Sequence, residues 1–196
     1  MSRTTIIVLI ALSAALAGVA FSSAAERFRD EPPAADTSVA AGPQRADLGW
    51  RETFGSEDER LVFSVESFEV VRNGWRAKLS LENDSSVPYE VGDPRATLAR
   101  SFGLMLFSSG DPEELEEREA NGTLPAVRAA DRYEPDLPPI LEPGSSWEGT
   151  ISASGALVAD SWVRVVFGTL VAAGKPPDEL EDNIVWITDD AYRLRK

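Results

Sequence analysis

The chain has 196 residues, no cysteine and no histidine, and sets 19 Lys and Arg against 33 Asp and Glu for a formal charge of −14. Without Cys there are no disulfides, thiol nucleophiles, Cys-ligated metals or lipidated N-terminal cysteine; without His there is no Ser-His-Asp triad and almost no route to a zinc or iron site. The acidity argues against nucleic acid, and against anionic lipid as a ligand of the folded part, because neutralising phosphates needs clustered Lys and Arg.

Met1-Ser2-Arg3 supplies a positive charge, residues 4–21 carry none, and Ser22-Ser23-Ala24-Ala25 are all small. A charged start, an apolar stretch and small residues before a cut describe a secretory signal peptide, with Ser23 and Ala25 suited to cleavage before Glu26. The alternative is an uncleaved anchor: residues 4–25 are long enough to span a bilayer, and Arg3 would hold the N-terminus in the cytoplasm. Both readings place the remainder outside the cytoplasm; the Ala-rich core favours cleavage. Residues 26–47, rich in Ala, Pro and charge, read as a disordered spacer. The folded domain is expected over residues 48–196.

Within it, Leu61, Phe63 and Val65 share one strand face, and Phe68 and Val70 take it over after a one-residue slip, which predicts a bulge near Glu66-Ser67. Asn73-Gly74 predicts a hairpin through a type I′ turn, with positive φ at both residues. Trp75, Ala77, Leu79 and Leu81 then alternate with Arg76, Lys78, Ser80 and Glu82, a strand with one buried face. Residues 102–107 form a continuous apolar run, expected as a strand covered on both faces. Residues 111–120 predict a helix with Asp111 as N-cap, Pro112 at its first position and Asn121-Gly122 as its stop. Leu115 is its one large apolar residue, so the helix is expected to be a surface insertion.

Pro125, Pro135, Pro138, Pro139 and Pro143 limit residues 124–144 to at most a short edge strand. Trp147, Gly149, Ile151 and Ala153 alternate with polar residues. Val163, Val165 and Phe167 alternate with Trp162, Arg164 and Val166, and residues 184–187 make a last strand that residues 191–194 extend. Short strands, a tight hairpin, turn-rich connections and no βαβ alternation predict an all-β fold. The expected form is a single antiparallel sandwich with a short acidic helical insertion, preceded by the N-terminal apolar helix and the spacer.

Five pieces recur in a known order: residues 65–71, the turn Asn73-Gly74, residues 75–83 (WRAKLSLEN), residues 141–146 (LEPGSS) and residues 162–167 (WVRVVF). Over roughly residues 60–170 this order resembles a family of exported bacterial immunoglobulin-like β-sandwich domains of unknown function, found on lipoproteins and membrane-anchored proteins. The resemblance implies an immunoglobulin-like fold, an extracytoplasmic place and no catalytic residues. The chain departs from the family by lacking a lipobox cysteine and by carrying the acidic helix.

Gly168 and Lys175 resemble the ends of a phosphate-binding loop, but five residues separate Gly168 from Gly174 where the motif has four, and Pro176 follows the lysine. Trp75 and Trp147 share parity with apolar neighbours and are expected in the core, as is Trp186, which sits in an apolar run. Trp162 is out of phase and shares its face with Arg164, and Trp50 lies at the domain's edge. Trp162, Arg164 and Trp50 are therefore the candidate ligand-binding residues. Asp178, Glu181, Asp182, Asp189 and Asp190 flank the last strand and are the candidate Ca²⁺ ligands, although no D-x-D-x-D-G loop exists and solvated surface charge explains them as well. The sequons at Asn83 and Asn121 are discounted.

The function these features point to is a non-catalytic exported interaction or accessory module of the bacterial cell envelope. Its expected partner is an envelope protein or a glycan. No cofactor or nucleic acid is expected, and membrane contact arises only through residues 4–25 if they are uncleaved. The alternatives are a carbohydrate- or Ca²⁺-binding β-sandwich module and, more remotely, a hydrolase using paired carboxylates.

Overall fold

The computed structural model describes residues 39–91 and 102–196; the export segment and residues 26–38 of the expected spacer lie outside the described residues. In chain order the described elements are β1 (Gln44–Gly55), β2 (Arg60–Val71), β3 (Gly74–Asp84), β4 (Tyr89–Val91), β5 (Gly103–Phe107), α1 (Pro112–Ala120), β6 (Arg128–Ala129), β7 (Arg132–Glu134), β8 (Ile140–Leu141), β9 (Ser146–Ser154), β10 (Trp162–Ala172), β11 (Asn183–Ile187) and β12 (Tyr192–Arg193). All strand pairings among them are antiparallel.

One sheet has the order β1-β2-β3-β9-β7. The other is built around β10. On one side, β5 pairs with Trp162 to Val166 and β4 pairs with Leu170 to Ala172, so β4 and β5 act as one strand interrupted between Val91 and Gly103. On the opposite side, β11 and β12 divide β10 in the same way, with residues 188–191 looped out between them. β6 and β8 add short outer edges.

The two sheets face each other across a single apolar core. Phe63, Phe68, Trp75 and Leu79 come from one sheet, and Tyr89, Phe102, Val165 and Phe167 from the other. Phe63 touches Phe167 across the gap with ring centroids 5.1 Å apart, and Trp186 stacks on Phe63 at 5.1 Å. Each such side chain contributes roughly 2 kcal/mol of burial.

The predicted bulge is present: the β2–β3 register slips between Val65 and Ser67, which keeps Phe68 and Val70 on the core side. The helix is capped as expected, with the Asp111 carboxylate accepting the Glu113 N–H at 3.0 Å. Residues 103–107 are covered on both faces, Leu104 in the main core and Met105 and Phe107 in a second cluster.

Four expectations change. The β2–β3 turn is centred on Arg72-Asn73, since Val71 pairs with Gly74, and neither residue has positive φ. Glycine is required at 74 for space, because a Cβ there would collide with the Ala153 carbonyl of β9. The folded body begins before residue 48. Gln44 opens β1, Ala40 bridges Val158, and the Gly42 N–H reaches the Arg195 carbonyl at 3.1 Å. The Pro-rich stretch yields three short pieces, β6, β7 and β8, in place of one, each proline-free and each at a sheet edge, with the prolines falling outside them. Finally, α1 is more than a surface insertion: Leu115 is buried with Met105, Phe107 and Val166, so the helix roofs the outer face of the β10 sheet.

Candidate functional site

The roof over β10 decides the fate of the predicted ligand residues. Arg164 is 0% exposed. It is not a surface residue, because β10 is central and α1 with its preceding loop closes over that face. Its guanidinium is a clamp: Nη1 donates to the Thr188 carbonyl at 2.9 Å and to the Asp189 carbonyl, and Nη2 donates to the Gly110 and Asp111 carbonyls at 3.2 and 2.9 Å. The planar group lies 5.3 Å from the Phe107 ring centroid. Burial pulls its pKa below the ordinary arginine value, opposed first by Asp189, and the group stays charged. Arg164 thus ties the entry to α1 to the β11–β12 loop and cannot touch a ligand.

Trp162 differs. It lies opposite Phe107 of β5 and opposite Arg193 of β12, which puts all three on the outer face of the sheet, because directly paired residues of antiparallel strands point the same way. Gly110 packs flat against the indole six-membered ring. Trp162, which is partly buried, also lines an open depression of about 670 Å³ with Asp160, Tyr192, Arg193, Arg195 and Lys196. Asp160 has a left-handed φ of 64° and its N–H is held by the Leu194 carbonyl at 3.0 Å. From there its carboxylate accepts from Arg193 at 3.1 Å and lies 3.6 Å from Lys196. The Arg195 guanidinium has no ion pair among the described residues.

Trp50 lies elsewhere. It follows Gly49, whose φ of 61° accompanies a register shift in β1, and it is half-buried on the β1–β2–β3 sheet. It lines a separate, smaller depression of about 300 Å³ with Arg51, Glu66 and Glu148. The three predicted ligand residues therefore do not form one site.

The acidic candidates are also divided. Asp178, Glu181 and Asp182 sit before β11, and Asp189 and Asp190 follow it, so a strand about 15 Å long separates the groups. Much of their polar work is done by backbone: the Asp182 carbonyl accepts the Ala172 N–H at 2.9 Å, and the Asp190 carbonyl accepts the Thr188 hydroxyl at 3.0 Å. Among the described residues no three carboxylates gather as a metal-holding group.

Two residues with large structural roles had no sequence signal beyond their motif. Asn83 is fully buried, and its side-chain amide donates to the carbonyls of Val87 and Leu141 at 2.9 Å each, while its backbone carbonyl accepts the Gly144 N–H. It staples the end of β3 to the Pro143-Gly144 turn, and its burial removes it as a glycosylation site. Glu52, on β1, accepts from the Trp186 indole N–H at 2.6 Å and from the Asp189 N–H at 3.0 Å. Burial raises its pKa, a shift the Trp186 hydrogen bond opposes. For the depression beside Trp162, the available signal was the basic and aromatic run Tyr192-Arg193-Leu194-Arg195-Lys196 in an otherwise acidic chain.

Comparison with protein-family models, with curated proteins and with solved structures finds no match for this chain.

Proposed function

We propose that this chain is a non-catalytic interaction module of the bacterial cell envelope, exported through residues 1–25 and built on an immunoglobulin-like domain. The observation that carries the binding role is the open depression beside Trp162, where an indole and three cationic side chains meet on the surface of an acidic protein. Shallow, exposed, mixed aromatic and charged surfaces suit recognition of a chain-like or macromolecular partner. The immunoglobulin-like reading is supported by strand order. β2-β3-β9-β7 faces the interrupted strand β4/β5, then β10, then β11/β12, which follows the ABED and CFG arrangement with β1 added outside.

Fractionation of bacteria expressing the untagged full chain, with intact mass and crosslinking through a photoreactive residue at position 195, tests this reading. A species starting at Glu26 outside the cytoplasm, or a full-length species in the membrane, crosslinked to an envelope component, is the expected result. A full-length species in the cytosol overturns it.

A further inference from the structure

We infer that the depression beside Trp162 binds a short acidic saccharide, one whose sugar units carry carboxylates. The inference rests on the reading of the chain as a non-catalytic module and names the ligand class of its site.

The first ground is the pairing of surface types. Trp162 and Arg193 are directly opposed on β10 and β12, so their side chains start about 5 Å apart on one face. Arg195 lies two residues beyond the end of β12, is exposed, and lines the same depression. An indole offers an apolar platform for the C–H face of a sugar ring, and a neighbouring guanidinium offers a planar two-donor fork that matches a carboxylate. A ligand with a flat apolar face and a carboxylate at its rim satisfies both.

The second ground is the mixture of donors and acceptors. Asp160 draws Arg193 and Lys196 into position and leaves Arg195 free of any ion pair among the described residues. The Asp160 carboxylate also presents oxygens that accept from sugar hydroxyls. A purely anionic ligand has no use for an acidic group in the lining of its site; a hydroxylated acid does.

The third ground is charge. The formal charge of the chain is −14, and the cations at positions 193, 195 and 196 sit within four residues of one another. The attraction of this cluster for an anionic group reaches about a Debye length, roughly 8 Å, at physiological salt. The site therefore selects a few units.

The test uses the full chain with tri-galacturonate, and maltotriose and tri-glutamate as comparators, followed by two-dimensional NMR of the backbone and indole N–H groups. Tri-galacturonate is expected to shift the Trp162 indole and the amides of residues 193–195. Arg195→Glu, at an exposed position, is expected to keep the melting temperature and weaken binding by about tenfold or more, the worth of one charge-assisted contact. Equal shifts with maltotriose overturn the acidic requirement, equal shifts with tri-glutamate make the ligand an acidic peptide, and no shift with tri-galacturonate removes the site. Mass spectrometry of the recovered trisaccharide separates the two levels. Shortened product defeats the non-catalytic reading, whereas intact, unbound trisaccharide defeats only this inference.

Discussion

The outer faces of the two sheets carry similar residues and use them in opposite ways. On the β1–β2–β3–β9 sheet, cations stand in water and pair across strands: Arg76 with Glu69 at 2.6 Å, Lys78 with Glu66 and Glu148, and Arg51 with Glu82 through two hydrogen bonds of 2.9 and 3.1 Å. On the β10 sheet, Arg164 sits in an equivalent alternating position, yet α1 and the loop before it exclude water, and four backbone carbonyls take the place of a carboxylate. Exposed pairs on the first face are screened and entropically costly, and each is worth less than about 1 kcal/mol. A buried charge held by carbonyls is hard to remove, because those carbonyls then lose their donors.

The sharpest way to break the comparison is Arg164→Ala. It strands the carbonyls of two loops, and chemical denaturation is expected to show a loss of about 3 kcal/mol or more. Arg164→Lys is expected to recover only part of this, because an ammonium cannot span the four acceptors as a planar fork does. A loss below about 1 kcal/mol would mean the clamp is ornamental.

Leu115→Ala asks whether α1 is a true roof. It removes the one buried apolar side chain of the helix and is expected to cost about 2–3 kcal/mol. Hydrogen exchange should rise throughout residues 112–120 and at Trp162, while the amides of β3 and β9 stay protected.

Glu52 makes the contrast pH-dependent. Its carboxyl is more basic in the folded protein than in the unfolded chain because it is buried, so the folded state holds the proton more tightly. The charged form therefore costs stability above the folded pKa. That cost is relieved as pH falls from there toward the unfolded value of about 4.3. Melting curves of the wild type and Glu52→Gln, taken from neutral to acidic pH, should show the wild type gaining on the variant across that window. A constant difference would place the carboxyl in water.

The smallest effect belongs to the exposed face. Arg76→Ala is expected to change stability by no more than about 0.5 kcal/mol, and less in high salt. A loss comparable to that of Arg164→Ala would erase the distinction between the two faces.

The strand faces of β2, β3 and β9 were legible because one side meets the core and the other meets water, and alternation records that directly. Trp75 and Trp147 were placed in the core for the same reason, and both are buried. Arg164 was misplaced by the same logic. Alternation says that a residue points away from the main core, and it cannot say whether a helix lies there. Trp50 and Trp162 were both found as residues out of the ordinary core, but their separation onto two sheets was invisible without strand order. The acidic residues around β11 looked like one group only because they are close in sequence; an extended strand holds the two halves apart.

Local chemistry determined the bulge at Val65–Ser67, the Asp111 cap, the short edges among the prolines and the inward face of each long strand, since these depend on neighbours a few residues away. Tertiary structure alone decided that Asn83 would meet the turn at Gly144, that β4 with β5 and β11 with β12 would each serve as one strand along β10, and that α1 would close over Arg164. It also brought Trp162 beside Arg193 and Arg195. In each case the partner comes from a distant part of the chain, so the environment of the residue depends on how the sheets assemble.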